Sequence, residues 1–366
     1  MTYTVAVAGA TGYAGGEALR ILAAHPDFEI TCVAGHSTVG QTMAQHMPHI
    51  PQIADLTVVE ATPEHLNGHD VIILALPHGA SGALAAELDS DAVVVDLGAD
   101  HRLINQTDWD TYYGGTYFPH WQYGMPELIT GGKAGAFTYQ RSNLVGAKRI
   151  AGPGCNVTAV TLALQPALAY GLIDSSAIVA DLVVGYSGAG KALKRTNLLA
   201  AEALGSATAY GVGGTHRHIP EMVQNLGFAA SAYEGTQSSQ AQAMRLSFTP
   251  VLAPMARGIL ATVSAPLSKQ GMQYSQDELQ QLWAKTYAQE HFIHVLTPGM
   301  LPVTGNVIGS NAAHIQVVKD ERAGRLIAFA AIDNLNRGTA GQAVQSLNIA
   351  LGLKEETGLT TIGVAP

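Results

Sequence analysis

The chain is predicted to be an α/β protein, with a doubly wound parallel sheet first and then an α+β domain carrying a mixed or antiparallel sheet. Short β-branched runs alternate with Ala-rich helical patterns over the N-terminal part, as parallel strands joined by crossover helices do. A glycine-rich turn follows the first run directly, and near Ile150 the alternation gives way to one long helical stretch and a succession of strand candidates.

Thr4 to Ala8 reads as the first buried strand, and Gly15 to Ala24, with Ala, Leu and Ile at helical spacing, as the helix after it. Ile30 to Gly35, Val71 to Leu76 and Val93 to Asp96 are the next strands, with a helix over Ser81 to Leu88 between the last two. Beyond Ile150 a long helix is predicted over Asn156 to Tyr170. Strand candidates follow at Ala177 to Gly185, Met244 to Val251, Arg257 to Ala265, His291 to Val295 and Ala313 to Val318. Gly338 to Leu351 reads as a last Ala-rich helix that returns to the first domain. The expected domains are 1–150, a nucleotide-binding unit; 151–331, a catalytic and oligomerisation unit; and 332–366, the returning helix.

Composition narrows the function classes. Of 366 residues, 47% are hydrophobic and 13% charged, enough apolar surface for a sizeable core. The net charge of −9 has the wrong sign for a phosphate-backbone binder, so nucleic acid is not an expected partner. The apolar runs are strand-sized, well short of the ~20 residues that span a bilayer. With no basic, cleavable leader before the first strand, a cytoplasmic protein is expected. The 40 glycines exceed the usual ~7%, and the two cysteines, Cys32 and Cys155, cannot form a disulfide framework or a Cys-rich zinc site.

The turn after the first strand is Gly9-Ala10-Thr11-Gly12-Tyr13-Ala14-Gly15. Such glycines let the backbone approach a pyrophosphate at a helix start; alone, the pattern is also that of a plain tight turn. Its place between an N-terminal strand and an Ala-rich helix favours a dinucleotide. NAD sites usually put an acid at the end of strand two, where this chain has His36-Ser37-Thr38. Hydroxyls there suit an extra phosphate, favouring NADP(H), or else cap a loop. Pro77 to Ser81 and Gly98 to Arg102 follow strands three and four, where open α/β sheets bind ligands.

Cys155 follows a Gly152-Pro153-Gly154 turn and falls at the predicted start of a helix. The positive end of the dipole favours thiolate over thiol, and nearby N–H groups suit an oxyanion. Cys32 sits inside an apolar strand and reads as packing. Among 14 histidines, His216-Arg217-His218 is the best acid/base candidate for the thiol. If those residues are extended, alternation turns only one side of Arg217 towards it. His65/His69 and His291/His294 have metal-compatible spacing without a third ligand, so no metal is expected.

These residues carry a resemblance. The chain resembles the N-acetyl-gamma-glutamyl-phosphate reductase family, NADP-dependent and related to the aspartate-semialdehyde dehydrogenases. The matching motifs are Gly9 to Gly15, Tyr123 to Glu127, Ala151 to Thr158 with Pro166 beyond it, Ser187 to Lys191, His216 to Glu221, Asp333 to Leu335, and Gly338 to Gln345. The resemblance implies a Rossmann domain and an α+β catalytic and dimerisation domain. It also implies reduction of N-acetyl-L-glutamyl 5-phosphate by NADPH through a Cys155 thioester, in arginine biosynthesis, by a homodimer or homotetramer.

Carried over, the motifs put cofactor contacts at Gly9, Thr11, Gly12, Tyr13, Gly15, Ser37, Thr38, Pro77, Ser187, Gly188, Gly190, Asn334 and Gln342. Substrate contacts fall at Arg102, Asn156, Arg217 and Glu221, with Arg102 on the phosphate and Arg217 on the α-carboxylate. His218 is the expected acid/base group and His216 the reserve. The chain departs from the family's Asp-Leu-Ser-Ala-Asp-Phe-Arg pattern at Gly98 and His101, and Lys191 stands where many relatives have arginine. Related reductases of aspartyl or aminoadipyl phosphate, and a non-catalytic NADP-binding sensor, are the competing readings. No tyrosine has lysine four positions later, as short-chain dehydrogenases require.

Overall fold

A computed structural model describes residues 2–191, 200–234 and 244–365. The first strands are β1 (Tyr3–Ala8), β2 (Phe28–Gly35), β3 (Val59–Glu60), β4 (Val71–Leu74), β5 (Val93–Asp96), β6 (Gln122–Tyr123), β7 (Ile129–Lys133) and β8 (Ala136–Tyr139). They continue as β9 (Arg149–Ala151), β10 (Ile178–Gly185), β11 (Thr208–Ala209), β12 (Leu246–Ala253), β13 (Ile259–Pro266), β14 (Ile293–Val295), β15 (Ala313–Asp320) and β16 (Arg325–Ile332). Six helices matter below: α1 (Tyr13–Leu22), α2 (Ala80–Ala85), α3 (Cys155–Ala169), α4 (His218–Glu234), α5 (Gln276–Thr286) and α6 (Gly341–Ala350). None of the helices is long and apolar enough to cross a membrane, among the described residues.

The chain divides into two compact units. The first takes residues 1–126, 141–153 and 339–360; the second takes 127–140, 154–338 and 361–366. The division is not a pair of cuts near 150 and 331. Residues 127–140, the β7–β8 hairpin, fall in the second unit, and of the C-terminal segment only 339–360 falls in the first.

The first unit is a seven-stranded sheet in the order β3-β2-β1-β4-β5-β9-β6, with every neighbouring pair parallel. Successive residues of β1 feed opposite faces: Val5 and Val7 pack with α1 and α6, and Ala6 and Ala8 with Leu66, Leu88 and Val94. Burial on both faces explains strands without polar alternation. The chain leaves β1 towards β2 on one side and resumes at β4 on the other. The crevice of such a sheet therefore lies at the carboxyl ends of β1 and β4.

The second unit is a mixed seven-stranded sheet, β11-β12-β10-β13-β16-β15-β14, with parallel and antiparallel pairs. Strand β16, an apolar Arg325–Ile332 run absent from the sequence expectation, joins β13 to β15. Helix α3 is buried from Asn156 to its end. Pro166 inside it has no N–H for the Leu162 carbonyl, and the Tyr287 hydroxyl donates to that oxygen instead at 2.6 Å. The next carbonyl, that of Ala163, accepts from Trp283 Nε1 of α5 at 3.0 Å.

Candidate active site

Each unit presents a turn that opens into a helix. In the first unit, Gly9 has φ of +80°, a region that disfavours side chains, and a Cβ on it would overlap the Ala75 carbonyl beyond β4. A Cβ on Gly15 would in turn overlap the Gly9 carbonyl. Gly12 is the N-cap of α1 and offers no side-chain cap, so the orphan N–H groups of the first turn are left to an incoming anion. Thr11 and Thr38 bring their hydroxyls within 3.2 Å, which ties the loop to the end of β2. Ser37 and Pro77 are exposed there, as is Tyr13, while Gln342 is buried in α6.

The loops after β4 and β5 are laced together. Asp100 accepts the Gly79 and Gly82 N–H groups at 2.7 and 2.8 Å, capping α2. Arg102 is 8% exposed and donates from Nε to the Gly152 carbonyl at 2.6 Å and from Nη2 to that of Leu97 at 2.8 Å. Both departures from the family pattern have local explanations. A Cβ on Gly98 would stand 2.7 Å from the Ser81 hydroxyl and 2.8 Å from Asp96 Oδ1, so α2 supplies the hydroxyl at that spot. His101 stacks on Trp121 at 3.7 Å, and its Nδ1 meets the Pro119 carbonyl at 2.8 Å. Burial lowers its pKa, which favours the neutral ring in the stack. Burial also pushes the Asp96 carboxyl up to about 6.

In the second unit, Cys155 is the first residue of α3, with Gly154 as its extended N-cap. The side chains expected around the thiol come from α4. That helix begins at His218, so residues 216–218 are a helix start and not the extended stretch considered from sequence. The helical turn replaces alternation with two imidazoles set edge to face. His216 and His218 lie at 4.8 Å, edge to face, and His216 Nδ1 accepts the His218 N–H at 3.1 Å. Burial, then the Arg217 charge, lowers His216 to about 4. Neutral His216 in this arrangement carries its proton on Nε2.

His218 and Glu221, one turn apart on α4, both reach Gly154. A Cβ on Gly154 would come 2.7 Å from His218 Nε2, and fully buried Glu221 accepts the Gly154 N–H at 3.0 Å. Two helix starts thus meet at the residue before the thiol, and their dipoles add positive potential there. Asn156 is 2% exposed beside Cys155, its Oδ1 buried without a protein donor among the described residues. Arg217 is exposed. Asn334 holds the Ser187 hydroxyl at 3.0 Å and accepts the Gly258 N–H at 2.9 Å, and Gly188 and Gly190 are exposed beside it.

Cys32 is partly buried in β2, where burial raises its pKa, and its thiol donates to the His65 carbonyl at 3.5 Å. His65 and His69 meet Thr62 and the Leu66 carbonyl, and the ring facing His294 is His314. Gly338 opens one of the matching motifs but is given no site role by it, although its missing Cβ makes room 2.7 Å from Cys155 Cβ, and no sequence pattern singles out fully buried Arg337 before it. The available signal was an arginine among apolar and small residues beside Asp333.

Comparison with known proteins finds two family matches along the chain. Residues 4–131 match the family described as semialdehyde dehydrogenase, NAD binding domain, and residues 155–334 that described as semialdehyde dehydrogenase, dimerisation domain. The chain is 69% identical over 365 residues to N-acetyl-gamma-glutamyl-phosphate reductase of Bifidobacterium longum strain DJO10A, covering all of this chain and 99% of that one. It is 54% identical over 366 residues to the protein of that name from Leifsonia xyli, covering both completely. In fold it is similar to aspartate semialdehyde dehydrogenase II of Vibrio cholerae complexed with ASA, with TM-score 0.64, 15% identity and 96% and 99% of the two chains covered. The corresponding enzyme of Candida albicans with NADP gives 0.63 at 16% identity, over 95% and 98%. Likeness that runs from one end of the chain to the other fixes membership for the whole and not for one unit: this chain belongs to the N-acetyl-gamma-glutamyl-phosphate reductase family.

Proposed function

We propose that the chain catalyses NADPH-dependent reduction of N-acetyl-L-glutamyl 5-phosphate to N-acetyl-L-glutamate 5-semialdehyde, with release of phosphate, in arginine biosynthesis. The observation that carries this reading is the meeting of Cys155 at the start of α3 with His218 and Glu221 at the start of α4, all against Gly154.

The Cys155 thiolate attacks the acyl carbon, and N–H groups at the start of α3 face the oxyanion. The C–O bond to phosphate then breaks, leaving a thioester on Cys155 and splitting one hard reduction into two easier steps. When bound, NADPH supplies the hydride for the thioester carbon. Gly9, Thr11, Gly12, Tyr13 and Gly15 would hold it, with Ser37 and Thr38 for the extra phosphate, and Pro77, Ser187, Gly188, Gly190, Asn334 and Gln342 as further contacts. The overlaps that bar a Cβ at Gly9 and Gly15, and the uncapped start of α1, fit such a group.

His218 gives a proton to the hemithioacetal oxygen and takes it back as the C–S bond breaks, releasing aldehyde and thiolate. His216, held neutral at working pH, accepts the main-chain N–H that starts α4 and so orients His218. Asn156 Oδ1, buried and lacking a protein donor among the described residues, is assigned to the substrate with Glu221. Arg217 is assigned to its α-carboxylate. Arg102, held by the Gly152 and Leu97 carbonyls, is assigned to the phosphate through its fixed charge. The enzyme is read as a cytoplasmic homodimer or homotetramer, supported by the match to a dimerisation domain.

The test is reduction of NADP by N-acetylglutamate semialdehyde with phosphate, beside the aspartate and aminoadipate semialdehydes. Turnover should be fastest with the N-acetylglutamate compound. Preference for another aldehyde would reassign the substrate, and no turnover with any would sink the reading.

A further inference from the structure

We infer that the buried Arg337–Glu127 ion pair is a positioning device for the Cys155 nucleophile, acting through Gly338. Both side chains are 0% exposed, and Arg337 Nη2 donates to Glu127 Oε2 at 2.7 Å. The connection runs through the backbone at each end.

At one end, Arg337 is followed by Gly338, on which a Cβ would come 2.7 Å from Cys155 Cβ and 3.2 Å from its Cα. The Asn336–Ala340 turn that carries Gly338 is a π-helical segment, a form that takes sustained support to persist. Asp333 gives part of that support. Its Oδ1 accepts the Leu335 and Asn336 N–H groups at 2.8 and 3.1 Å, and its carbonyl accepts that of Gly338 at 2.9 Å. Arg337 gives the rest by fastening the turn to Glu127.

At the other end, the Glu127 carbonyl accepts Gln165 Nε2 at 2.9 Å, while Gln165 Oε1 accepts the Ile129 N–H at 3.0 Å. Gln165 lies on α3, ten residues beyond Cys155. The path is therefore closed: Cys155, α3, Gln165, Glu127, Arg337, Gly338 and back to Cys155. A rigid helix forms one side and the ion pair the side opposite. Removing a buried charge from water is costly unless its geometry is well used, and here the geometry fixes how Gly338 meets the thiol-bearing residue. A planar guanidinium holds that geometry where a flexible ammonium only partly would.

The inference rests on Cys155 being the nucleophile, so the variants are measured beside Cys155→Ser. The readouts are kcat, KM, and the pH midpoint of Cys155 alkylation by iodoacetamide, followed by peptide mass spectrometry. Arg337→Met should lower kcat at least 30-fold per folded enzyme, leave KM within threefold, and move the alkylation midpoint upward; Arg337→Lys should recover part of both. Normal kcat and an unmoved midpoint in the folded fraction would overturn the inference. Should Arg337→Met fail to fold, Gly338→Ala decides, because it keeps the ion pair and adds one methyl against Cys155. It should show the same pattern, and wild-type values there would equally overturn the inference. Full activity in Cys155→Ser would instead remove the nucleophile reading itself.

Discussion

The Gly9–Gly15 turn and the Gly152–Cys155 turn use one local device, a glycine-led entry into a helix, for two different ends. At α1 the helix start carries no side-chain cap, and the glycines are required by backbone packing on Ala75 and Gly9. At α3 the N-cap glycine likewise supplies no side-chain cap, but Glu221 takes the Gly154 N–H and His218 lies against Gly154. A start with no second helix over it offers its N–H groups to an anion of whatever shape the backbone admits. A start flanked by side chains of a second helix places them beside a single reacting atom. The difference lies in what α4 brings, its start 63 residues beyond that of α3 along the chain.

The largest effect separates the two turns outright. Cys155→Ser should cut kcat by roughly 10⁴-fold or more, as removal of a nucleophile does, while NADPH affinity from fluorescence titration stays within twofold. Lost NADPH binding in that variant would mean that the two turns are not independent. Next is the histidine pair. His218→Asn should cost about 10²- to 10³-fold in kcat, the range for a general acid/base. His216→Phe should cost about tenfold, because a ring lowered to about 4 holds almost no proton to give at neutral pH. The reverse order in steady-state kinetics would hand the proton step to His216. A smaller effect belongs to the first turn alone: Ser37→Asp at the end of β2 should raise KM for NADPH about tenfold and narrow the preference over NADH.

The two regions also differed in how far they could be read in advance. Strands β1, β2, β4 and β5 follow from contiguous residues, because apolar runs act locally, whereas the helix expected over Gly15 to Ala24 starts two residues earlier, at Tyr13. Cys155 at a helix start was legible because glycine placement also acts locally. The contact of His218 and Glu221 with Gly154 was not, since it depends on α4 beginning at His218 and packing beside α3. A His-Arg-His triplet carries no sign of which it will be, a strand or a helix start. Strand β16 escaped because Arg325–Ile332 reads equally as a buried helical segment. The Arg337–Glu127 pair joins positions 210 apart, a distance over which charge pattern carries no signal.

Stability against pH should change with opposite signs in the two units. Asp96 in the first unit has its folded pKa raised from 3.8 to about 6 by burial. Its contribution is therefore fully present below 3.8 and lost as pH rises through about 6. His216 in the second unit is lowered from 6.5 to about 4, so its contribution is present above 6.5 and lost as pH falls through about 4. Asp96→Asn should leave protection near pH 4 unchanged and raise it at pH 7.5 by about 2 kcal/mol, with Gly98 still hydrogen-bonded. His216→Phe should flatten the decline on the acid side. Hydrogen exchange resolved by peptide should place the first change within residues 1–126 and the second within 154–338. A single chain-wide response to either substitution would show that the units unfold as one and that their pH dependences cannot be assigned separately.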